Sequence, residues 1–243
     1  MGWVGVAIKA LWHAPDPPLY KDALNRATRV LQLAEERGMT FETGELALTS
    51  FGLGFDNKQG PSIPEARQEA IAVAAAMNGT VLLDEQATAP AVLEALERSR
   101  YLHIAAHGFD RPLAPRFHAL CVAPAAGDDG TFRAHQLLGR DLRGLELVTL
   151  GFCQSSVGRF DVADNLYSLP AMLLLAGART IIGTLWPVRS RPAELFFTRL
   201  YEFLAAGTSV LDAFRSAQLA TRAVFPEPRD WAPFYFAGNW QAT

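Results

Sequence analysis

Two short apolar runs, each ending on a side chain able to do chemistry, set the terms for what this chain can fold into. Residues 145–158 read LELVTLGFCQSSVG. Leu145, Leu147, Val148, Thr149, Leu150 and Phe152 predict a strand buried on both faces, as in the interior of a parallel sheet, and the run breaks at Cys153 into small polar residues. Residues 101–107, YLHIAAH, have the same form and end on His107, followed by Gly108. Open α/β sheets bind ligands beyond the carboxyl ends of their strands. Two such ends can set a thiol and an imidazole side by side, the pairing a cysteine nucleophile requires. Taken singly, Cys153 or His107 reads as core; the joint pattern of strand, His-Gly, strand and Cys favours chemistry.

The order of elements around these runs gives the fold class. Residues 45–55 read as a strand ending in glycines, and residues 62–77 as a helix with Pro64 and Glu65 in its first turn. Residues 80–85 read as a short strand, and Thr88 opens a helix that tolerates Pro90 near its start. HALCVAP and the Gly/Asp-rich turn after it suggest a hairpin. Leu166–Ala176 is an apolar helix closed by Gly177, and Arg179–Trp186 another buried strand. Two amphipathic helices follow, at 191–205 and 208–224, the second capped by Thr208 or Ser209. WAPFYFAGNW predicts a closing strand packed under the sheet. Strands alternating with helices make an α/β protein with a mostly parallel sheet.

Composition excludes several classes of function. With 243 residues, 50% of them hydrophobic, the chain can bury a large core. A formal net charge of -3, with Lys and Arg scattered, offers no basic face for nucleic acid and no polybasic segment for a membrane surface. The two cysteines, Cys121 and Cys153, are no disulfide framework, and a reducing cytoplasmic setting suits a working thiol. Cys121 reads as structural. Cys/His spacing predicts no zinc site. The first residues lack the marks of a secretory signal, and the apolar stretch near residues 165–178 is too short to span a bilayer. Residues 19–37 read as an amphipathic helix within an N-terminal extension, residues 1–40, ahead of a main domain at 41–243.

HIAAHG at 103–108, LRGLELVTLGFCQSSVG at 142–158, LLLAGARTIIGTLWPV at 173–188, GTSVLDAFRSAQLA at 207–220 and WAPFYFAG at 231–238 together resemble the CHAT domain. This is a branch of the caspase, separase and gingipain group of cysteine peptidases, often fused to tetratricopeptide repeats. The resemblance implies a caspase-like three-layer α/β/α sandwich with a mostly parallel central sheet. It implies a dyad of His107 and Cys153, with oxyanion donors from the backbone amides of Gly108 and Cys153. It further implies a protein substrate cut under control of a partner or sensor region such as a repeat protein. No organic cofactor or metal is called for, although some relatives use calcium.

His103, four residues before His107, is weighed as a helper of the dyad and read as core packing. Members commonly read Ser-Ala-Cys-Glu-Thr-Gly where this chain has Gly151-Phe152-Cys153-Gln154-Ser155-Ser156. Asp164 falls where members carry an acidic residue. After Trp-Pro-Val they commonly place Asp, and this chain places Arg189. The loop there lines the substrate pocket in caspases and separases. Asp164 and Arg189 are therefore the candidate substrate-binding residues, and Arg189 is expected to steer the pocket toward neutral or acidic side chains. The alternative is a solvated loop charge, or a pair with Asp164. The departures keep two rivals open: a non-catalytic interaction module on the same fold, and a thiol-dependent acyl or amide transferase.

Overall fold

The computed structural model describes residues 46–52, 64–109, 119–151 and 168–239. The helix expected at 19–37, the segment carrying Cys153, and Asp164 lie outside these residues. Six strands form one sheet in the order β2-β1-β3-β7-β8-β9. They are β1 (Leu46–Gly52), β2 (Thr80–Leu83), β3 (Ser99–Ala105), β7 (Leu147–Leu150), β8 (Thr180–Thr184) and β9 (Phe234–Gly238). All neighbours pair in parallel except β8 and β9. A second, antiparallel sheet holds β4 (Gly108–Phe109), β5 (Ala119–Cys121) and β6 (Thr131–Arg133).

Alternation along the strands assigns the two faces. Leu102, Ile104, Val148 and Leu150 belong to one buried cluster with Val92 and Leu96 of α2 (Ala89–Arg98) and Leu169 and Leu173 of α3 (Leu169–Leu175). Leu48, Leu147 and Ile182 belong to the other. There they meet Val73 of α1 (Pro64–Met77), Phe196, Phe197, Leu200 and Tyr201 of α4 (Ser190–Ala205), and Phe214 of α5 (Val210–Val224). The result is the three-layer sandwich, with α2 and α3 on one side and α1, α4 and α5 on the other. Fully burying a Leu or Phe contributes about 1.5–3 kcal/mol, so clusters of this size on both faces fix the order of the layers.

Local chemistry places the helices where the sequence predicts them. Thr88 caps α2, its hydroxyl accepting from Ala91 N at 3.3 Å, with Pro90 in the first turn. Ser168 caps α3 in the same way, and Gly177, at φ 115°, supplies the left-handed turn just past its end. Ser209, of the two candidates, caps α5.

One expectation changes. β9 does not pack beneath the sheet; it extends it, running antiparallel along β8 from Thr180↔Gly238 to Thr184↔Phe234. The short helix α6 (Pro228–Trp231) reverses the chain so that these residues satisfy the open hydrogen-bonding edge of β8. Its Phe234 stacks on Phe196 with ring centroids 3.6 Å apart, which ties the new edge to α4.

Candidate active site

Beside each other at the centre of the sheet run β3 and β7, in the register Tyr101↔Leu147, Leu102↔Val148, His103↔Thr149 and Ile104↔Leu150. Gly151 extends the pairing, its N–H donating to the Ile104 carbonyl at 2.8 Å. Both strands therefore open at the same edge of the sheet. His107 stands two residues past the end of β3 and is half-buried. The chain turns there into the small sheet: the His107 carbonyl accepts from Cys121 N at 2.9 Å, and Gly108 lies opposite Leu120.

Arg189 follows β8, the next strand along, and occupies the N-cap position of α4. Three neighbouring strand ends thus lead to His107, to the segment carrying Cys153, and to Arg189. The Arg189 guanidinium is paired with Asp230 of α6, Nε to Oδ1 at 2.8 Å and Nη2 to Oδ2. Asp230 is buried while the arginine side chain keeps 57% of its surface exposed. The guanidinium holds the Asp230 carboxyl below the usual carboxylate range. Asp164, the partner weighed for Arg189 as an alternative, lies outside the described residues.

Cys121, the other thiol, is buried in β5, and burial pushes its pKa up to about 11. At neutral pH it is a thiol and inert. Among the described residues no cluster of His, Cys, Asp or Glu is arranged to hold a metal, and no helix is long and apolar enough to cross a membrane.

The CHAT domain family model matches residues 20–239. The chain belongs to the CHAT domain family. Tetratricopeptide repeat protein 28 of Mus musculus and of Homo sapiens are each 24% identical to it over 216 residues, covering 73% of this chain. That stretch is 9% of the mouse protein and 8% of the human one, so the chain spans less than a tenth of the length of these relatives. Among solved structures, the Arg-specific cysteine proteinase gingipain R matches 81% of this chain and 46% of its own, with a TM-score of 0.57 and 12% identity. The CHAT domain here thus has the fold of the gingipain and caspase group of cysteine peptidases.

Under the strand ends of this CHAT domain lies a polar row that sequence reasoning took for core. Ser50, His103 and Thr149 are register partners across β1, β3 and β7. All three are buried, His103 with 0% exposure. His103 Nδ1 lies 2.7 Å from Thr149 Oγ1, which lies 2.7 Å from the Tyr201 hydroxyl. On its other side, His103 Nε2 is 3.0 Å from Oε1 of Glu69 of α1, in an oblique approach whose spacing is that of a hydrogen bond but whose N–H is poorly aligned. Burial pushes the Glu69 carboxyl above its ordinary value, against the opposing pull of His103. The Tyr201 phenol is likewise raised by burial.

Gly151 lies against this row. A Cβ there would collide with Glu69 Oε1 and stand 3.2 Å from Phe197. The signal for Glu69 was present in the sequence: the buried stripe of α1 is Ala66, Glu69, Ala70, Val73 and Ala74, and a carboxylate in the middle of an apolar stripe demands a partner.

Proposed function

We propose that this CHAT domain is a cysteine endopeptidase in which His107 and Cys153 form the dyad. The observation that carries the reading is the register of β3 and β7. Counting on in sequence from Ile104↔Leu150, His107 and Cys153 are each three residues further on. Adjacent strands lie about 4.8 Å apart, so equal steps past a shared register favour placing imidazole and thiol next to each other.

In the proposed reaction the His107 ring takes the thiol proton and the Cys153 sulfur attacks the peptide carbonyl carbon. The carbonyl oxygen becomes an oxyanion, the C–N bond breaks, and the imidazolium returns the proton to the leaving amine. Water then hydrolyses the thioester. Antiparallel pairing supports Gly108 as an oxyanion donor. His107 turns its carbonyl toward β5, so the alternation of the ladder turns the Gly108 N–H away from β5. One such donor contributes about 3 kcal/mol of transition-state stabilisation. The Cys153 amide is the second donor.

Arg189 and Asp164 are proposed to line the pocket for the residue before the scissile bond. The Asp230 pair holds the arginine in a fixed pose while leaving much of it exposed, a geometry suited to meeting a neutral or acidic side chain. The similarity to tetratricopeptide repeat protein 28 supports a protein substrate presented or gated by a repeat-bearing partner. A reducing compartment, the cytoplasm, suits the thiolate.

The test is a cleavage assay of wild type, Cys153→Ala and His107→Ala against proteins copurified or co-encoded with the chain. Both variants are expected to lose cleavage and labelling by a peptidyl chloromethyl ketone while keeping the wild-type melting temperature. Labelling that persists in His107→Ala would overturn the dyad.

A further inference from the structure

The buried row beneath the strand ends carries an inference that rests on the Cys-His reading and deepens it. Glu69 and His103 are sealed from water, and only certain protonation states are affordable there. A carboxylate beside a neutral imidazole would bury a net negative charge, and a protonated carboxyl beside an imidazolium a net positive one. Either is strongly unfavourable away from water.

With one proton between them the pair is neutral as a whole, and the neighbouring contacts then fall into order. His103 Nδ1–H donates to Thr149 Oγ1, 2.7 Å away. The Thr149 and Tyr201 hydroxyls, 2.7 Å apart, have the Leu102 carbonyl within 3.4 Å of each as a terminal acceptor. The groups facing the pair support the same count. From α1 there is Glu69 itself; from α4 come Glu194, which disfavours the Glu69 charge, and Tyr201; from β1 comes the Ser50 hydroxyl. No cation among these could balance an unshared carboxylate.

We propose that Glu69, His103 and Thr149 are positioning residues, a one-proton carboxylate–imidazole pair bonded through Thr149 that locks β3 to β7 and so sets the separation of His107 and Cys153. The two strands bearing the dyad are joined, four residues before each catalytic side chain, by a side-chain hydrogen bond as well as by the ladder. Glu69 Oε1 also fills the space that a Cβ on Gly151, two residues before Cys153, would need. A displacement of about 1 Å at a reacting pair can cost about a hundredfold in rate.

Two readouts on the intact chain test this without any substrate. The first is the ring nitrogens of His103 in ¹⁵N-histidine-labelled protein. The second is the pH profile of Cys153 carboxymethylation by iodoacetate.

In wild type, His103 Nδ1 is expected to carry the proton that it donates to Thr149. In Glu69→Gln the ring-nitrogen signals are expected to change as His103 Nε2 loses its carboxylate neighbour, and Cys153 carboxymethylation to slow by about ten- to hundredfold, as a misplaced dyad would. Should Glu69→Gln fail to fold, Thr149→Val keeps the Glu69–His103 pair, and is expected to shift the Nδ1 signal, which loses its acceptor, and to slow carboxymethylation. An unprotonated Nδ1 in wild type, or carboxymethylation profiles in folded variants that superpose on wild type, would overturn the proposal. Failure of the peptidase reading shows separately, as carboxymethylation that does not depend on His107 while the His103 spectrum stands.

Discussion

His103 and Thr149 face each other twice over: they are register partners on β3 and β7, and the imidazole Nδ1 sits 2.7 Å from the threonine hydroxyl. The central seam of the sheet is therefore held by a side chain as well as by its backbone ladder. Thr149→Val preserves shape and removes the oxygen that His103 and Tyr201 share. A loss of about 1–3 kcal/mol in unfolding free energy is expected, because two buried polar groups are left short of a partner. A urea midpoint equal to that of wild type would show the row to be incidental.

Gly151→Ala is expected to destabilise by about 1–3 kcal/mol, since its methyl group would press on the Glu69 carboxylate and the Phe197 ring from a packed layer. The cause can be isolated by a double-mutant cycle with Glu69→Ala. The double variant should lose less than the two single losses added together, and strict additivity would place the strain elsewhere.

Arg189→Ala uncovers the buried Asp230 carboxylate. Because the pair lowers the Asp230 pKa in the folded state, its contribution is present above the ordinary aspartate value of about 3.9 and is lost as pH falls through the folded value. The variant should melt below wild type at neutral pH, and the two curves should converge in acid once pH has fallen below the lowered folded value of Asp230. A gap that persists in acid would mean that Arg189 acts through packing instead.

The same residue bears on selectivity. A peptide library is expected to show cleavage after neutral or acidic residues, with the acidic preference falling at least severalfold in Arg189→Ala. A profile dominated by Arg or Lys would remove Arg189 from the pocket.

Cys121 should take no label in the native protein, since its thiol is buried and its pKa stands near 11. Mass spectrometry after brief alkylation at neutral pH is expected to find label on Cys153, with Cys121 modified only after unfolding. Native modification of Cys121 would show that β5 opens readily.

Much of the scaffold is legible in the residues because it is written locally. Continuous apolar runs announce β3, β7 and β8, and Thr88 with Pro90, and Ser209, announce the helices they begin, whereas the helix read from Leu166 starts only at Leu169, after its Ser168 cap. The contacts beneath the strand ends are not written that way. Thr149 looks like β-branched filler and Tyr201 like one more apolar residue of an amphipathic helix, and only packing α4 against the sheet brings their hydroxyls together. Arg189 and Asp230 are 41 positions apart, with nothing between them to mark the pair. The course of β9 depends on the vacant hydrogen-bonding edge of β8, which is a property of the assembled sheet and not of WAPFYFAG.

Between the last residue of β3 and the first of β4 there are two positions, Ala106 and His107. The imidazole therefore rides on the seam joining a large rigid sheet to a small one, with almost no slack in the backbone on either side. An insertion or a tug in the β5–β6 hairpin reaches that ring within a residue or two, whereas an equal disturbance along β9 must first cross β8 and β7. Reshaping the hairpin is accordingly the shortest route by which this scaffold could retune its chemistry while its interior stays untouched.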